Sequence, residues 1–428
     1  MSLMLSLALS SAGPAQVLTL GEALELAIAS HPELSVAEAR LSAFAARADE
    51  ARAPRLPRLS ASMGYERSTS NVAARAGSVL SSLAASGTSS FDTSDYFSFG
   101  LSARQLVYDF GATSGRVASA DSNLELARAN AKTSRLDVEL SVRTAYHAAR
   151  AAKALVRVAE QTLENEVGHT DRARALVEIG ARPEIDLVEA LSAQADRRVE
   201  LVKRRGEAET AMARLVFAIG AELESIDVIE EPIQRLEGEG SSAKVLTEQS
   251  LSVRPEVVAL EQKRTALLGS LSAAQAGYGP SLSLSASFSE SGAALDSLAW
   301  NAGAGLDVTW SLFEGGATTA EERALRHELA SADAELVLLS QRIRLEIEEA
   351  LVSVRSSSAA LSAHQEARTL AEERLRLAEG RYAAGAGSSL ELGDATLRLA
   401  TTLADGVRLQ NELATARAKL LRALGRSQ

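Results

Sequence analysis

Residues 281–289 read Ser-Leu-Ser-Leu-Ser-Ala-Ser-Phe-Ser, with Leu282, Leu284, Ala286 and Phe288 on one parity and serines on the other. A period of two is the signature of a β-strand. The alternation returns after a short loop. Ala302, Ala304, Leu306, Val308, Trp310 and Leu312 share one face, and Gly303, Gly305, Asp307, Thr309 and Ser311 share the other. The spacing predicts strands at about 281–289 and 302–313, about the ten-residue length that a tilted strand needs to cross a bilayer. Helical, Ala/Leu/Glu/Arg-rich sequence flanks both. A lone two-stranded ribbon between long helices is not a stable sheet, so these strands must pair with others.

The partners lie upstream. Leu59, Ala61, Met63 and Tyr65 alternate with Arg58, Ser60, Ser62 and Glu66 in a strand at about 57–66. Phe97, Phe99, Leu101, Ala103 and Val107 oppose Ser98, Gly100, Ser102 and Arg104 in another at about 96–108. The likeness extends beyond the strands. Pro32 and Pro255 are 223 residues apart, as are Pro57 and Pro280. Gly111 and Gly316, Gly180 and Gly385, and Gly220 and Gly425 are each 205 apart. The chain is an internal duplication whose frame shifts only between the strands. Each half carries helix, strand, strand, very long helix, turn and helix. The halves are expected at 17–220 and 221–428, with 221–250 as a connector at the start of the second.

The helix expected from about Ser114 to Ile179 contains no proline, and Gly180 ends it. At 1.5 Å per residue it would reach on the order of 100 Å. Leu124, Ala131, Val138, Ala145, Ala152 and Ala159 keep a seven-residue spacing, and Leu329, Leu336, Ile343, Ala350, Ser357 and His364 repeat it in register. That spacing predicts coiled-coil packing, and the alanines permit close approach. Aromatic residues make up only 4% of the chain, which suits such packing better than a conventional globular core. Return helices are expected from Pro183 to Ile219 and from Ser388 to Leu424. Thr318 followed by Glu321 fits a capping box at the start of the second long helix. The segment 67–95, rich in Ser, Ala and Gly, reads as an exposed loop.

Four strands cannot close a barrel, because membrane barrels need about eight or more. An open edge in lipid would leave backbone groups unsatisfied at several kcal/mol each. If the strands enter a membrane, several chains must therefore share one barrel, with apolar faces toward lipid and Ser/Thr/Gly/Asp faces toward water. The alternatives are a soluble four-stranded sheet with one buried face, and a periplasmic coiled-coil scaffold or adaptor without a pore. No run of 18 apolar residues occurs, so no transmembrane helix is expected. Residues 1–16 resemble the apolar core and cleavage region of a secretory signal, but the first basic residue is Arg40, so a truncated signal is expected, with a frayed terminus as the alternative.

The chain resembles the TolC-type outer membrane efflux and secretion channel family. The matching pieces are Leu18-Thr19-Leu20-Gly21-Glu22-Ala23-Leu24 with Pro32-Glu33-Leu34, and the strand-to-helix joins Tyr108-Asp109-Phe110-Gly111 and Phe313-Glu314-Gly315-Gly316. Arg381-Tyr382-Ala383-Ala384-Gly385 before the last helix adds a further match. Phe110 departs from the pattern by replacing the first glycine of the join. The resemblance covers about residues 17–426. It implies a mainly α protein with a membrane β-barrel: four strands per chain, a homotrimer with a twelve-stranded barrel, and a periplasmic α-helical coiled-coil barrel. It also implies a location in the outer membrane with a helical extension into the periplasm. The implied function is the channel of a tripartite efflux or type I secretion system, partnered by a periplasmic adaptor and an inner membrane pump.

The turns after the two long helices carry the candidate functional residues. Each has an ordinary structural reading: Gly180 and Gly385 as helix C-caps, Pro183 as a first-turn residue, and the carboxylates as groups favoured near a helix start. Acids recur at spacing three in both copies, as Asp186/Glu189 and Glu391/Asp394, so each pair shares a helix face. The resemblance implies that such acids ring the periplasmic entrance and form the pore constriction. It implies closing contacts at Arg182 and Tyr382. The exposed turns Gly180-Ala181 and Gly385-Ala386 are expected to dock the adaptor. Gly387 occupies the second-copy position of Arg182.

Other functions find little support. The net charge of −11 disfavours nucleic acid. The absence of cysteine removes disulfides, thiolate metal sites and a lipobox. The five histidines, His31, His147, His169, His327 and His364, show no metal-ligand spacing, and no nucleophile motif occurs. No enzyme activity, metal or cofactor is expected. Trp300 and Trp310 are read as an interface anchor and a lipid-facing side chain.

Overall fold

The strand-to-helix joins show how local sequence sets this architecture. Asp109 follows a strand and accepts hydrogen bonds from the amides of Gly111 (3.3 Å) and Thr113 (2.7 Å) and from the Thr113 hydroxyl. These satisfy orphan donors at a helix start. The second copy places Glu314 at the Asp109 position, and Glu314 accepts from the Thr318 hydroxyl at 3.1 Å. Thr318 therefore serves the preceding acid, and the expected capping box with Glu321 is replaced by this contact. Phe110 adopts φ 52° where its counterpart Gly315 has φ 64°. A left-handed backbone costs a non-glycine residue roughly 1–2 kcal/mol. The Phe110 ring lies against Gly279, where a Cβ would come within 2.7 Å of it.

The computed structural model describes residues 16–69, 91–222 and 226–427. The expected signal segment falls outside these residues but for Gln16, and 70–90 of the expected loop lie outside them too. The elements run β1 (Gln16–Leu18), α1 (Leu20–Ser30), α2 (Pro32–Arg52), β2 (Arg58–Thr69), β3 (Thr93–Tyr108), α3 (Ala112–Glu178) and α4 (Glu184–Ile219). The second series is β4 (Ile226–Val228), α5 (Ala243–Val253), α6 (Pro255–Ala276), β5 (Ser281–Gly292), β6 (Ala299–Thr309), α7 (Ala317–Ala383) and α8 (Ser389–Ala423). The duplication is thus a duplication of structure, with two helices of 67 residues each.

Two corrections concern element bounds. The last strand ends at Thr309 rather than 313, and Trp310 lies just beyond it with its indole N–H donating to the Tyr278 carbonyl at 3.0 Å. The connector 221–250 carries regular structure. It supplies β4, which pairs in parallel with β1, and most of α5, the second-copy counterpart of α1.

The chain forms two compact units. One comprises Ser42–Leu126 and Glu261–Ala334 and contains the sheet. Its strand order is β2-β3-β5-β6, all antiparallel. The register aligns Ala61, Leu101 and Phe288, and in turn Ala103, Ala286 and Ala304. It likewise aligns Ser60, Ser102, Ser287 and Gly303 on the opposite face. One face is therefore apolar and the other is Ser/Gly-rich. A register shift between Leu106 and Tyr108 takes Val107 out of this scheme. Among the described residues the apolar face is left largely open: Met63 is 81% exposed, and every residue of β2 is exposed. Within the same unit, Gly115 of α3 and Gly269 of α6 meet so closely that a Cβ at either would lie 2.6 Å from backbone atoms of the other helix.

The other unit comprises Met1–Leu41, Ala127–Leu260 and Glu335–Gln428, and among the described residues it holds three clusters of buried side chains, two of which correspond between the copies. Val138, Val142, Leu215, Ala218 and Ile219 form the first, and Ile343, Ile347, Leu420, Ala423 and Leu424 the second. Each residue of the second set is 205 positions after one of the first, so the same positions build both cores. None of the twelve heptad residues is exposed. Tyr146 breaks the symmetry. Its hydroxyl donates to the carbonyls of Leu18 (3.2 Å) and Ile229 (3.0 Å), bracing the β1–β4 pair, whereas the second copy has Leu351 there.

Ile347 has no exposed surface. Ile347→Ala is expected to cost about 2–5 kcal/mol through lost burial and a cavity. Denaturant titration of the helical signal reads this directly, and an unchanged midpoint would argue against the second cluster as a core.

Candidate functional site

Each long helix ends in the same hydrogen-bonded turn. Gly180 (φ 74°) and Gly385 (φ 75°) are left-handed. The amide of Ala181 donates to the Leu176 carbonyl at 2.9 Å and that of Gly180 to Val177 at 2.9 Å. In the second copy Ala386 donates to Arg381 at 2.9 Å and Gly385 to Tyr382 at 3.1 Å. This is the Schellman motif, in which glycine bears the positive φ without a Cβ penalty. A Cβ at either glycine would meet nothing within 4 Å, so conformation alone selects glycine. Gly180, Ala181, Gly385 and Ala386 are all exposed. The returning helix α8 is capped by Ser388, whose hydroxyl accepts from the Glu391 amide at 3.1 Å.

The two turns are held together by Arg182. Its guanidinium lies over the Tyr382 ring, 4.8 Å from the centroid. Its Nη2 donates to the Gly387 carbonyl at 2.9 Å, with the Tyr382 carbonyl a longer acceptor at 3.4 Å. Asp186 Oδ2 stands 3.7 Å from Arg182 Nη1, an ion pair without a hydrogen bond, and this oxygen is buried with no hydrogen-bond partner. Tyr382 is 7% exposed and packs with Ala378, Leu392 and Ala395. Burial pushes its phenol above the ordinary tyrosine range, with the Asp186 carboxylate adding to the effect and Arg182 opposing it. Gly387 is buried, and a Cβ there would lie 3.1–3.2 Å from atoms of Arg381 and Tyr382. One arginine thus serves both copies, because a second side chain at 387 would crowd the turn that the first one grips.

The sequence-derived candidates divide accordingly. Arg182, Tyr382 and Asp186 meet. Glu189 and Asp394 are exposed, and Glu391 is half-exposed with Arg381 Nε 3.6 Å from it. Asp186 is turned toward Arg182 and does not join the exposed acids. Sequence reasoning passed over the Gly387 carbonyl as an acceptor, since a carbonyl carries no residue signature. His169, read from the sequence as a histidine without metal-ligand spacing, is buried with Nε2 3.8 Å from Glu379 Oε1, and Glu166, which carried no sequence signal, is buried too. Burial lowers the His169 imidazole and raises the Glu166 carboxyl. Both line a 350 Å³ cavity that reaches Glu189 and Tyr382. Among the described residues there is no cluster of His, Cys, Asp or Glu that could hold a metal ion, and no helix is long and apolar enough to cross a membrane.

Comparison with known proteins gives a consistent result. The family described as Outer membrane efflux protein matches residues 23–221 and 246–426. The pyoverdine export outer membrane protein OpmQ of Pseudomonas aeruginosa PAO1 is 28% identical over 417 residues, covering 94% of this chain and 84% of OpmQ. Among solved structures, CusC superposes with a TM-score of 0.82 at 21% identity, over 95% of this chain and 92% of that one. VceC of Vibrio cholerae superposes with a TM-score of 0.79 at 22% identity, over 95% and 96%. These two share the fold.

The contact generates a test. Tyr382→Phe keeps the ring under Arg182, and Tyr382→Leu removes it. Because Tyr382 is raised, its neutral form favours the folded turn; that contribution is complete below the unfolded value of about 10 and is lost as pH rises through the folded value. In the native chain the contact should loosen above about pH 10, whereas Tyr382→Phe should abolish that alkaline step. A double-mutant cycle between Arg182→Gln and Tyr382→Leu should give a coupling of about 0.5–2 kcal/mol; additive effects would dissolve the pair.

Proposed function

The chain belongs to the outer membrane efflux protein family, and from that premise we propose that three copies close one barrel and that the channel is gated by the Arg182–Tyr382–Asp186 contact. The protein is an outer membrane efflux channel of tripartite systems, without enzymatic activity, extended by helices into the periplasm. Channels of this family are trimeric and work with efflux pump components. The observation that carries the barrel is the four-stranded sheet: two unpaired edges and an apolar face left largely open. In hydrocarbon such edges need partners. Two neighbouring copies supply them, giving twelve strands, with the Ser/Gly face lining water.

In this reading Arg182 holds the α3–α4 turn to the α7–α8 turn and keeps the entrance shut. Glu189, Glu391 and Asp394 supply the constriction, threefold repeated, where like charges repel when the mouth narrows and favour cations when it opens. Asp186 belongs with the gate contact, since its carboxylate faces Arg182. The turns Gly180-Ala181 and Gly385-Ala386 offer exposed backbone and small side chains to the tips of a periplasmic adaptor, which links the channel to an inner membrane pump.

Three measurements check the proposal. The purified protein should require detergent and migrate as a trimer that heat dissociates; a monodisperse single-copy particle without detergent would end the barrel reading. In planar bilayers, replacing Glu391 and Asp394 by alanine should lower cation selectivity, and Arg182→Ala should raise the open fraction. Gly385→Trp should leave trimers in the membrane but abolish export, so normal export would remove the docking role.

A further inference from the structure

Two arginines of α3, Arg143 and Arg150, lie seven residues apart with His147 between them. Two helical turns separate them by about 10 Å along the axis. Arg143 is half-buried and Arg150 is 9% exposed. Among the described residues neither has a carboxylate in ion-pair range. Arg143 donates from Nη2 to the main-chain carbonyl of Ser427 at 2.8 Å, and Arg150 from Nη1 to that of Glu231 at 2.6 Å. The Nε of Arg143 and the Nδ1 of His147 are buried without any hydrogen-bond partner. Buried charges are ordinarily paired, because the desolvation they suffer is otherwise uncompensated.

All three side chains line a cavity of 680 Å³ walled by α1, α3, α8 and residues 231–237. The other charges of the wall do not cancel them. Arg417 is taken by Glu239 through bonds of 2.6 and 3.1 Å. Glu231 and Glu237 stand against Arg143, Arg150 and Arg235, so the wall keeps a net positive charge. Glu139, one turn before Arg143, is engaged by Arg135 at 3.1 Å. Burial, with Arg150 and Arg143 nearby, pushes the His147 imidazole down to about 4. At neutral pH it is therefore uncharged, and the two guanidinium groups set the sign of the space. The volume is that of a small-molecule pocket, roughly 300–1,000 Å³, larger than one inorganic ion needs.

We propose that this cavity is a binding site for an organic polyanion, a small molecule bearing two or more carboxylate or phosphate groups that bridges Arg143 and Arg150 across His147. Guanidinium groups bind such oxyanions through paired, charge-assisted hydrogen bonds. The ligand would complete the charge balance of the space between α3 and α8, independently of the gate and of the barrel.

Citrate is the probe, with orthophosphate and sodium chloride at matched ionic strength as comparators, titrated into the full chain purified in detergent at pH 7. Calorimetry should show one saturable citrate site per chain, and citrate should raise the thermal midpoint. Orthophosphate, too short to span the two arginines, should bind at least tenfold more weakly. Arg143→Gln and Arg150→Gln should each weaken citrate at least tenfold, and Arg143→Gln should not lower the midpoint of the ligand-free protein. Arg368→Gln, off the cavity wall and paired with Glu372, should leave citrate binding unchanged. No citrate response above the chloride control, equal affinity for orthophosphate and citrate, or full affinity in both cavity variants would overturn the proposal. The native chain alone decides the first two outcomes, whatever the variants do to folding.

Discussion

Every backbone N–H and C=O of a strand in hydrocarbon needs a partner, and β2 and β6 each have a neighbour on one side only. That deficit governs the rest of the molecule. A soluble sheet could solvate its edges and bury its apolar face against helices. Here Met63, Leu59 and Leu306 face outward without cover. The sheet is therefore a fraction of a wall rather than a core. Stability within the single chain must come from elsewhere, and much of it comes from two clusters of largely aliphatic side chains, each packing one long helix against its neighbours.

Those clusters show what duplication preserves and what it releases. Val138 and Ile343, Leu215 and Leu420, and Ile219 and Leu424 hold equivalent places, because helix packing tolerates exchange among aliphatic side chains of similar volume. Divergence falls where one copy acts on the other. Tyr146 braces the strand pair that β1 of the first half makes with β4 at the start of the second. Arg182 grips the turn of the second half, whose own equivalent position is a buried glycine. The join residues Phe110 and Gly315 diverge in identity yet keep the same handedness, since the chain must reverse in the same way at both joins.

Much of this was legible in the sequence for physical reasons. Strand alternation, the 205-residue frame, the heptads and the turn glycines are all periodic or conformational signals, and those survive without contacts. What escaped notice was contact-dependent. β1 and β4 are three residues each, too short for any period to show, and exist because they pair. Trp310 continues the alternation of β6 yet sits past its end, held by a backbone carbonyl. Asp186 and Glu189 look alike at spacing three, but only Asp186 has an arginine to turn toward. The unpaired Arg143 and Arg150 read as ordinary helix-surface charges until α1, α8 and the 231–237 segment close over them.

Beyond the Asp186 carboxylate of α4, Arg182 takes hold of main-chain oxygens of the second turn, with one ring face as its side-chain contact there. Such a grip recognises the path of the polypeptide rather than its letters. Substitutions at Ala383, Ala384 or Ala386 that keep that path leave the acceptors where they are. Anything that re-routes the loop, however mild its chemistry, withdraws them together. The latch is in this sense written in curvature, and drift in composition around it can run far before the fastening changes.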